Sequence, residues 1–315
     1  MKLQQKENRG AVGITGMQRF RNNLPLTALA LPGIIMIFIF SYIPLYGLVL
    51  PFKDFKLDLG FFGSEWVGFE NFRFLFSGSD MLNATKNTVL YNLFFVFIKP
   101  FFSVILALML FEVSKRWVKF YQTLLLLPFF VSWVVLSYAL RGFLDMDVGM
   151  FNMIIKQFGG EPVMWYTDPK YWPVILIISA IWKGMGYDAV LYYAALMGVD
   201  RELFEAAEID GAGKLRQMWY ISLPMLKSII VMMMILNIGK IFYGDFGLFY
   251  NLTLNSSLLY QTTDVIDTYV FRTMMVMGDV GMSAAACFLQ SVVGFILVLA
   301  TNLIVRRVDN DNALF

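Results

Sequence analysis

The 315-residue chain contains no histidine and one cysteine, and charged residues make up 15% of it, against roughly 25% in a typical soluble domain. Each shortage removes a class of function. With no histidine and no paired carboxylates inside its apolar runs, the chain lacks the usual acid, base and metal-ligand sets of an enzyme. The single cysteine, Cys287, allows no disulfide within the chain, and in the run AAACFLQSVVG it reads as a small packing residue. A net charge of +2 is too small for a nucleic-acid partner, and the basic residues sit in short groups at the ends of apolar runs. A phosphate-binding loop, G-x-x-x-x-G-K-[ST], is missing too. At the nearest candidate, Gly213-Lys214, position 208 is glutamate and position 215 is leucine.

What the chain has in abundance is apolar surface, with 58% hydrophobic and 17% aromatic residues. A membrane-spanning helix needs about 20 mostly apolar residues. Six windows qualify, at about 24–50, 87–112, 119–142, 171–198, 225–247 and 282–305. The expectation is an all-α polytopic membrane protein with six transmembrane helices, a tail over 1–23, a permeation domain over 24–305, a polar segment at 199–224 and a tail over 306–315. The first apolar run is too long for a signal-peptide core and has no evident cleavage site. Positive residues near span ends stay cytoplasmic. Placing the N-terminus inside puts thirteen lysines and arginines on the cytoplasmic side and seven outside, so both termini are expected in the cytoplasm. Three long segments, about 51–86, 143–170 and 248–281, then face outward. They read either as a receiving cap or as lids packed on the helix ends.

Between the fourth and fifth windows stands DRELFEAAEIDGAGKLR, with eight charges in seventeen residues. Such a run cannot sit in hydrocarbon. Asp200 can cap a helix start, and Glu202 suits its first turn. At about 100° per residue, Leu203, Phe204, Ala206 and Ala207 share one arc, and Arg201, Glu202, Glu205 and Glu208 share the other. Ile209 breaks the pattern. Gly211 and Gly213 permit a sharp turn, Leu215, Met218 and Trp219 form a second apolar stripe, and Pro224 can open the next span. A helix of about nine residues is marginal in water, so its apolar face needs a partner, either this chain's own helix ends or another protein.

These residues carry a resemblance. The pattern E-A-A, three residues, G, nine residues, I, one residue, L-P is met by Glu205, Ala206, Ala207, Gly211, Ile221, Leu223 and Pro224 without departure. It resembles the signature loop of permease subunits in binding-protein-dependent ABC importers of type I. WVGFENFRFLF at 66–76, Asn87-Thr88 and WKGMGYDAVLYYAALMGVD at 182–200 are similar to the first permease of the carbohydrate, maltose-type branch, within which the pattern is most like permeases for complex oligosaccharides and polysaccharides. The resemblance implies the type I fold in a bacterial cytoplasmic membrane and a second permease, two cytoplasmic ATPase subunits and an extracytoplasmic solute-binding protein as partners. It also implies alternating access as the mechanism, with ATP and Mg2+ used by the ATPases and no cofactor or metal bound by this chain. In that family the loop is a coupling helix seated in the ATPase. Glu205 would offer its carboxylate there, Leu203, Phe204, Ala206 and Ala207 would form the contact face, Gly211 would bend the chain, and Ile221, Leu223 and Pro224 would tie the loop to the fifth span.

Ionisable residues within spans suggest function or pairing. Trp182, Lys183, Tyr187 and Asp188 in the fourth span, and Asn237, Lys240 and Tyr243 in the fifth, are the candidate solute pathway. Aromatic faces suit sugar rings, and amides and charges suit hydroxyls. The competing reading pairs Lys183 with Asp188 or with the second permease and leaves the aromatics as packing. A peptide or osmolyte is the alternative solute. An ion-coupled secondary transporter is a more distant alternative, because it would not need the signature loop.

Overall fold

The computed structural model describes residues 16–309 and 313–314, so the expected terminal tails lie partly outside the described residues. The chain forms two compact units, residues 1–50 and 51–315. In the first, helix α1 (Gly16–Ile37) runs into a π-helical turn at Phe38–Tyr42 and a 3-10 segment that starts at Ile43. The corresponding candidate span, Leu26–Phe52, has none of its apolar window buried within the chain.

The second unit opens with a hairpin of two short antiparallel strands, β1 (Lys53–Asp54) and β2 (Glu65–Trp66), around helix α2 (Gly60–Gly63). Helices α3 (Glu70–Ser77), α4 (Ser79–Glu112), α5 (Lys115–Phe130), α6 (Trp133–Leu144), α7 (Met150–Gln157) and α8 (Trp172–Leu196) follow. Then come α9 (Arg201–Ile209), α10 (Lys214–Gln217), α11 (Leu223–Ile238), α12 (Tyr260–Thr263), α13 (Ile266–Met277) and α14 (Val280–Val308). Among the described residues five helical runs are long and apolar enough to cross a membrane, and a bent pair makes a sixth. The all-α polytopic architecture expected from the windows is thus present, with different boundaries. α4 starts eight residues before its window. The fifth run begins at Lys214 and ends at Ile238, so it enters the segment expected to be loop and stops short of 247.

The third window differs most. It holds two helices, α5 and α6, that meet at 90°. Pro128 inside α5 supplies no N–H to the helix ladder. Ser132, in extended conformation, accepts a hydrogen bond from Val135 N–H through its Oγ at 3.2 Å and so caps α6. A serine at that position starts a helix in preference to continuing one.

Three helices are drawn together by a core of Val104 and Ala107 on α4, Ala189, Tyr192 and Leu196 on α8, and Leu226 on α11. At the other end, α4 holds an irregular stretch of chain through side-chain amides and hydroxyls. Asn92 Nδ2 donates to the carbonyls of Ile241 and Tyr243, Asn87 Nδ2 to those of Gln261 and Asp264, and Tyr91 OH to that of Thr262, while Thr88 Oγ1 accepts from Ile266 N–H. The segments expected as outer loops therefore carry helices of their own and pack on the bundle. Leu75, Met81, Ile266, Val270 and Ala286 bring α3, α4, α13 and α14 into one cluster.

The contact of α5 with α8 is close enough to require glycine. A Cβ at Gly186 would overlap the backbone carbonyl of Leu125, and helices approach this closely only through small residues. Gly186→Val is expected to destabilise the chain by about 1–3 kcal/mol or more, the scale of an overpacked core, and to lower the melting temperature of the detergent-purified protein. A wild-type melting curve would show that the two helices can separate at no cost.

Candidate functional site

The polar segment folds as its composition requires. Asp200 Oδ1 accepts from Glu202 N–H at 3.1 Å and caps α9. At the other end Gly211 adopts φ +77°, Gly211 N–H bonds the Glu208 carbonyl at 3.0 Å, and Ala212 N–H bonds the Ala207 carbonyl at 2.8 Å. This is a Schellman ending, whose left-handed residue is normally glycine. Lys214 Nζ closes the turn on Glu208 Oε1 at 2.6 Å; this ammonium holds the Glu208 carboxyl below its ordinary pKa. Buried Gln217 donates to the Ala212 carbonyl at 3.1 Å. Neither Lys214, Glu208 nor Gln217 belongs to the signature pattern, although the charge on each side of the two glycines is visible in the sequence.

Phe204 alone of α9 reaches an aromatic neighbour, Phe111 at the end of α4, with ring centroids 5.3 Å apart. Beside it opens a groove of about 450 Å3 lined by Glu112, Lys115, Arg201, Glu205 and Lys214 among others. No residue of α9 is buried. Ala206 and Gly211 are exposed and Leu203 is 44% exposed, while Ile221 and Leu223 are half-buried where the segment joins α11 and Pro224 stands in that helix's first turn. Of the expected second stripe Met218 is half-buried, while Leu215 and Trp219 are 74% and 67% exposed; Ile209, outside both stripes, is 87% exposed.

The pathway candidates divide. Lys183, Asn237, Lys240 and Tyr243 line one cavity of about 570 Å3, together with Asn92, Phe95, Lys99, Phe129, Trp133 and Asp245. Tyr187 lies beside it, stacked on Phe129 at 4.4 Å. Trp182 does not join them. It lines a separate apolar recess with Leu124, Pro128 and Met185, because adjacent residues on a helix point about 100° apart. Asp188 does not pair with Lys183 either. Five helical positions place the two roughly 140° apart, and Asp188 Oδ2 instead meets Lys99 Nζ of α4 at 3.0 Å.

Lys183 has a different task. Its Nζ donates to the carbonyls of Phe129 and Val131 at 2.6 Å and of Pro128 at 3.3 Å, and lies 5.2 Å and 5.5 Å from the Trp133 and Phe129 ring centroids. A helix that ends inside a membrane leaves carbonyls without donors, and a cation at its C-terminus also meets the negative end of its dipole. Lys183 thus satisfies the break between α5 and α6. Trp133 Nε1 donates in turn to Asp245 Oδ2 at 3.1 Å, tying that break to the irregular chain beyond α11. Lys99 and Asp245 stand out in the sequence as charges in or near spans. Trp133 carries no such mark, and only the break in the third window gives it its place.

Lys183→Met leaves these carbonyls without their ammonium donor, and each uncompensated one costs about 1–3 kcal/mol. The purified variant is expected to melt earlier and to be cut faster by protease near 130–133, and Lys183→Arg is expected to recover most of the loss. Equal melting of the methionine variant and wild type would remove Lys183 from this role.

Comparison with known proteins places this geometry. Residues 99–310 match the family described as "Binding-protein-dependent transport system inner membrane component". The chain is 36% identical over 303 residues to Protein LplB of Bacillus subtilis (strain 168), covering 95% of this chain and 94% of that protein. It is 38% identical over 289 residues to the polygalacturonan/rhamnogalacturonan transport system permease protein YteP of the same organism, covering 91% and 89%. Among solved structures it resembles a chain of a bacterial alginate ABC transporter in complex with an alginate pentasaccharide-bound periplasmic protein, with TM-score 0.81, 31% identity and coverage of 92% and 97%.

Proposed function

The chain belongs to the binding-protein-dependent transport system inner membrane components, multi-pass proteins of that membrane, and from this premise we propose that it is one permease of an ATP-driven importer that brings a carbohydrate into the cytoplasm. The observation that carries the reading is α9: a capped, glycine-ended helix with no buried residue, set beside an open charged groove. A separate ATPase covers it. Glu205 gives its carboxylate to that subunit, while Leu203, Phe204, Ala206 and Ala207 form the thin contact face and Gly211 sets the bend. Ile221, Leu223 and Pro224 carry the movement into α11. This chain hydrolyses nothing. ATP and Mg2+ belong to two ATPase subunits, a second permease completes the pathway, and an extracytoplasmic binding protein delivers the solute. Both termini and α9 face the cytoplasm.

Support for a carbohydrate comes from the cavity, where Phe95, Phe129 and Trp133 offer ring faces beside the amides of Asn92 and Asn237. It comes also from two relatives, one named for polygalacturonan and rhamnogalacturonan transport and one for alginate. Closure of the ATPases on nucleotide displaces α9 and exposes the cavity first to one side of the membrane and then to the other.

Gly211 provides the test. A Cβ there would meet no neighbouring atom, so a substitution acts through the backbone, where φ +77° disfavours a β-branched residue. In reconstituted complexes Gly211→Val is expected to reduce uptake by about ten-fold or more, the scale of 1.4 kcal/mol or more in the coupled step, while ATP hydrolysis by the same complexes persists. Wild-type uptake by the variant would overturn the coupling role of this segment.

A further inference from the structure

Between the coupling segment and α11 the helix is not α. Met218–Ser222 form a π-helical turn, closed by Leu223 N–H on the Met218 carbonyl, five residues back. Both flanks of the turn are fixed. Gln217 on one side is buried and donates to the Ala212 carbonyl of the glycine turn, and Leu226 on the other is buried in the core that joins α4, α8 and α11. A change of angle between the coupling segment and α11 therefore falls on these five residues. Trp219 and Tyr220 within the turn are exposed, so this chain leaves them room to rotate.

Proline accounts for the bulge without requiring it. Pro224 stands six residues after Met218, and in an unbroken α-helix its ring would press on the carbonyl four residues back, that of Tyr220. The same arrangement recurs at Phe38–Tyr42, where Ile43 N–H bonds the Phe38 carbonyl and Pro44 stands six residues after Phe38. Yet Pro100 lies inside α4 with α-helix on both sides. A helix of this chain thus passes a proline in either register.

Ser222 marks the register that the turn has left. Thr85, Thr88, Ser103, Thr123, Thr273 and Ser291 lie in α-helices, and each donates its hydroxyl to the carbonyl four residues back at 2.7 to 2.9 Å. Ser222 does not. The residue is 1% exposed and its Oγ finds no partner among the described residues, because the carbonyl four back is that of Met218, which the π-turn gives to Leu223 N–H. A buried hydroxyl without a bond is costly. Enclosed by its own chain, this one is out of reach of any other subunit.

We propose that Met218–Ser222 is the joint of the coupling movement, and that Ser222 is a positioning residue for its second form. When the ATPases close, the π-turn becomes α-helix: Leu223 N–H passes from the Met218 to the Trp219 carbonyl, and Ser222 Oγ donates to the Met218 carbonyl. One residue of register is worth up to about 100° of rotation and about 1.5 Å of rise. The proposal rests on the coupling role given to α9 above and says how its displacement enters α11.

The test uses the assembled transporter, with its second permease and ATPases, and ATP with vanadate as the probe, so that no solute is needed. In a structure of the trapped complex, Leu223 N–H is expected on the Trp219 carbonyl and Ser222 Oγ on that of Met218. Ser222→Ala is expected to raise the melting temperature of the nucleotide-free complex by a few degrees, since the unpaired hydroxyl is gone. It is also expected to raise the ATP concentration for half-maximal trapping about three- to ten-fold, the worth of one neutral hydrogen bond made in the closed form alone. Ser222→Thr keeps the hydroxyl and is expected to trap like wild type. A residue that merely packs would not move stability and trapping in opposite senses. An alanine variant that melts lower, an unchanged ATP requirement, or a threonine variant that behaves like alanine would each overturn the proposal, as would a trapped complex whose Leu223 N–H still bonds Met218. The parent reading fails separately: a trapped complex in which α9 touches no ATPase removes the coupling role itself, whereas α9 seated in the ATPase with the π-turn intact removes only the joint.

Discussion

In hydrocarbon no water is available to a peptide group, so each N–H and C=O freed from a helix must find its partner inside the protein. The second unit of this chain is organised around that requirement. Its third span breaks at 90°, and after α11 the chain forms no regular α-helix before Tyr260. Both interruptions are held by side chains projected from helices that continue without a break, α8 and α4. Lys183 of α8 takes the carbonyls at the first break, and Asn87, Thr88, Tyr91 and Asn92 of α4 take the backbone groups of residues 241–266. Remove those donors and the irregular segments have no reason to persist in a low-dielectric interior.

The same devices make a site. The cavity lies where the break and the unwound stretch come together, so its walls combine aromatic rings with cations and amides that an uninterrupted bundle would have no means to position. Polar groups brought to such depth are themselves costly. Lys99 is answered by Asp188, and Asp245 accepts a hydrogen bond from Trp133. At the opposite end α9 follows directly on α8, which carries Lys183 and Asp188, and α10 leads into α11, whose end carries Asn237 and Lys240. In the proposed mechanism, a displacement of the coupling segment therefore reaches the cavity through two helices that bear its wall.

Much of the functional surface is local and hence readable in order along the chain. The cap at Asp200, the amphipathic arc of α9 and the reversal at Gly211 each depend on residues within a few positions of one another, and each is present in the fold, whereas the fifth helical run is already under way at Lys214 and passes through Pro224 without starting there. The apolar windows likewise report helices, because length and hydropathy act on every span separately. Their ends are less legible. α4 continues outward through residues polar enough to end a window, and the fifth run begins at Lys214 because a charged residue in a helix end costs little once it leaves the hydrocarbon.

From the order of residues alone come the membrane class, the helices, the polar segment between the fourth and fifth spans and the list of charges that must be explained. Their partners belong to the tertiary structure. Asp188 lies five positions from Lys183 and more than eighty from Lys99, and chain separation says nothing about which helix faces which. Trp182 and Lys183 are neighbours in sequence but line different recesses, since one helical step turns a side chain away by about 100°. Only packing decides that Lys183 closes a broken helix and that Asp188 answers Lys99, because each outcome depends on distances between helices that no local pattern encodes.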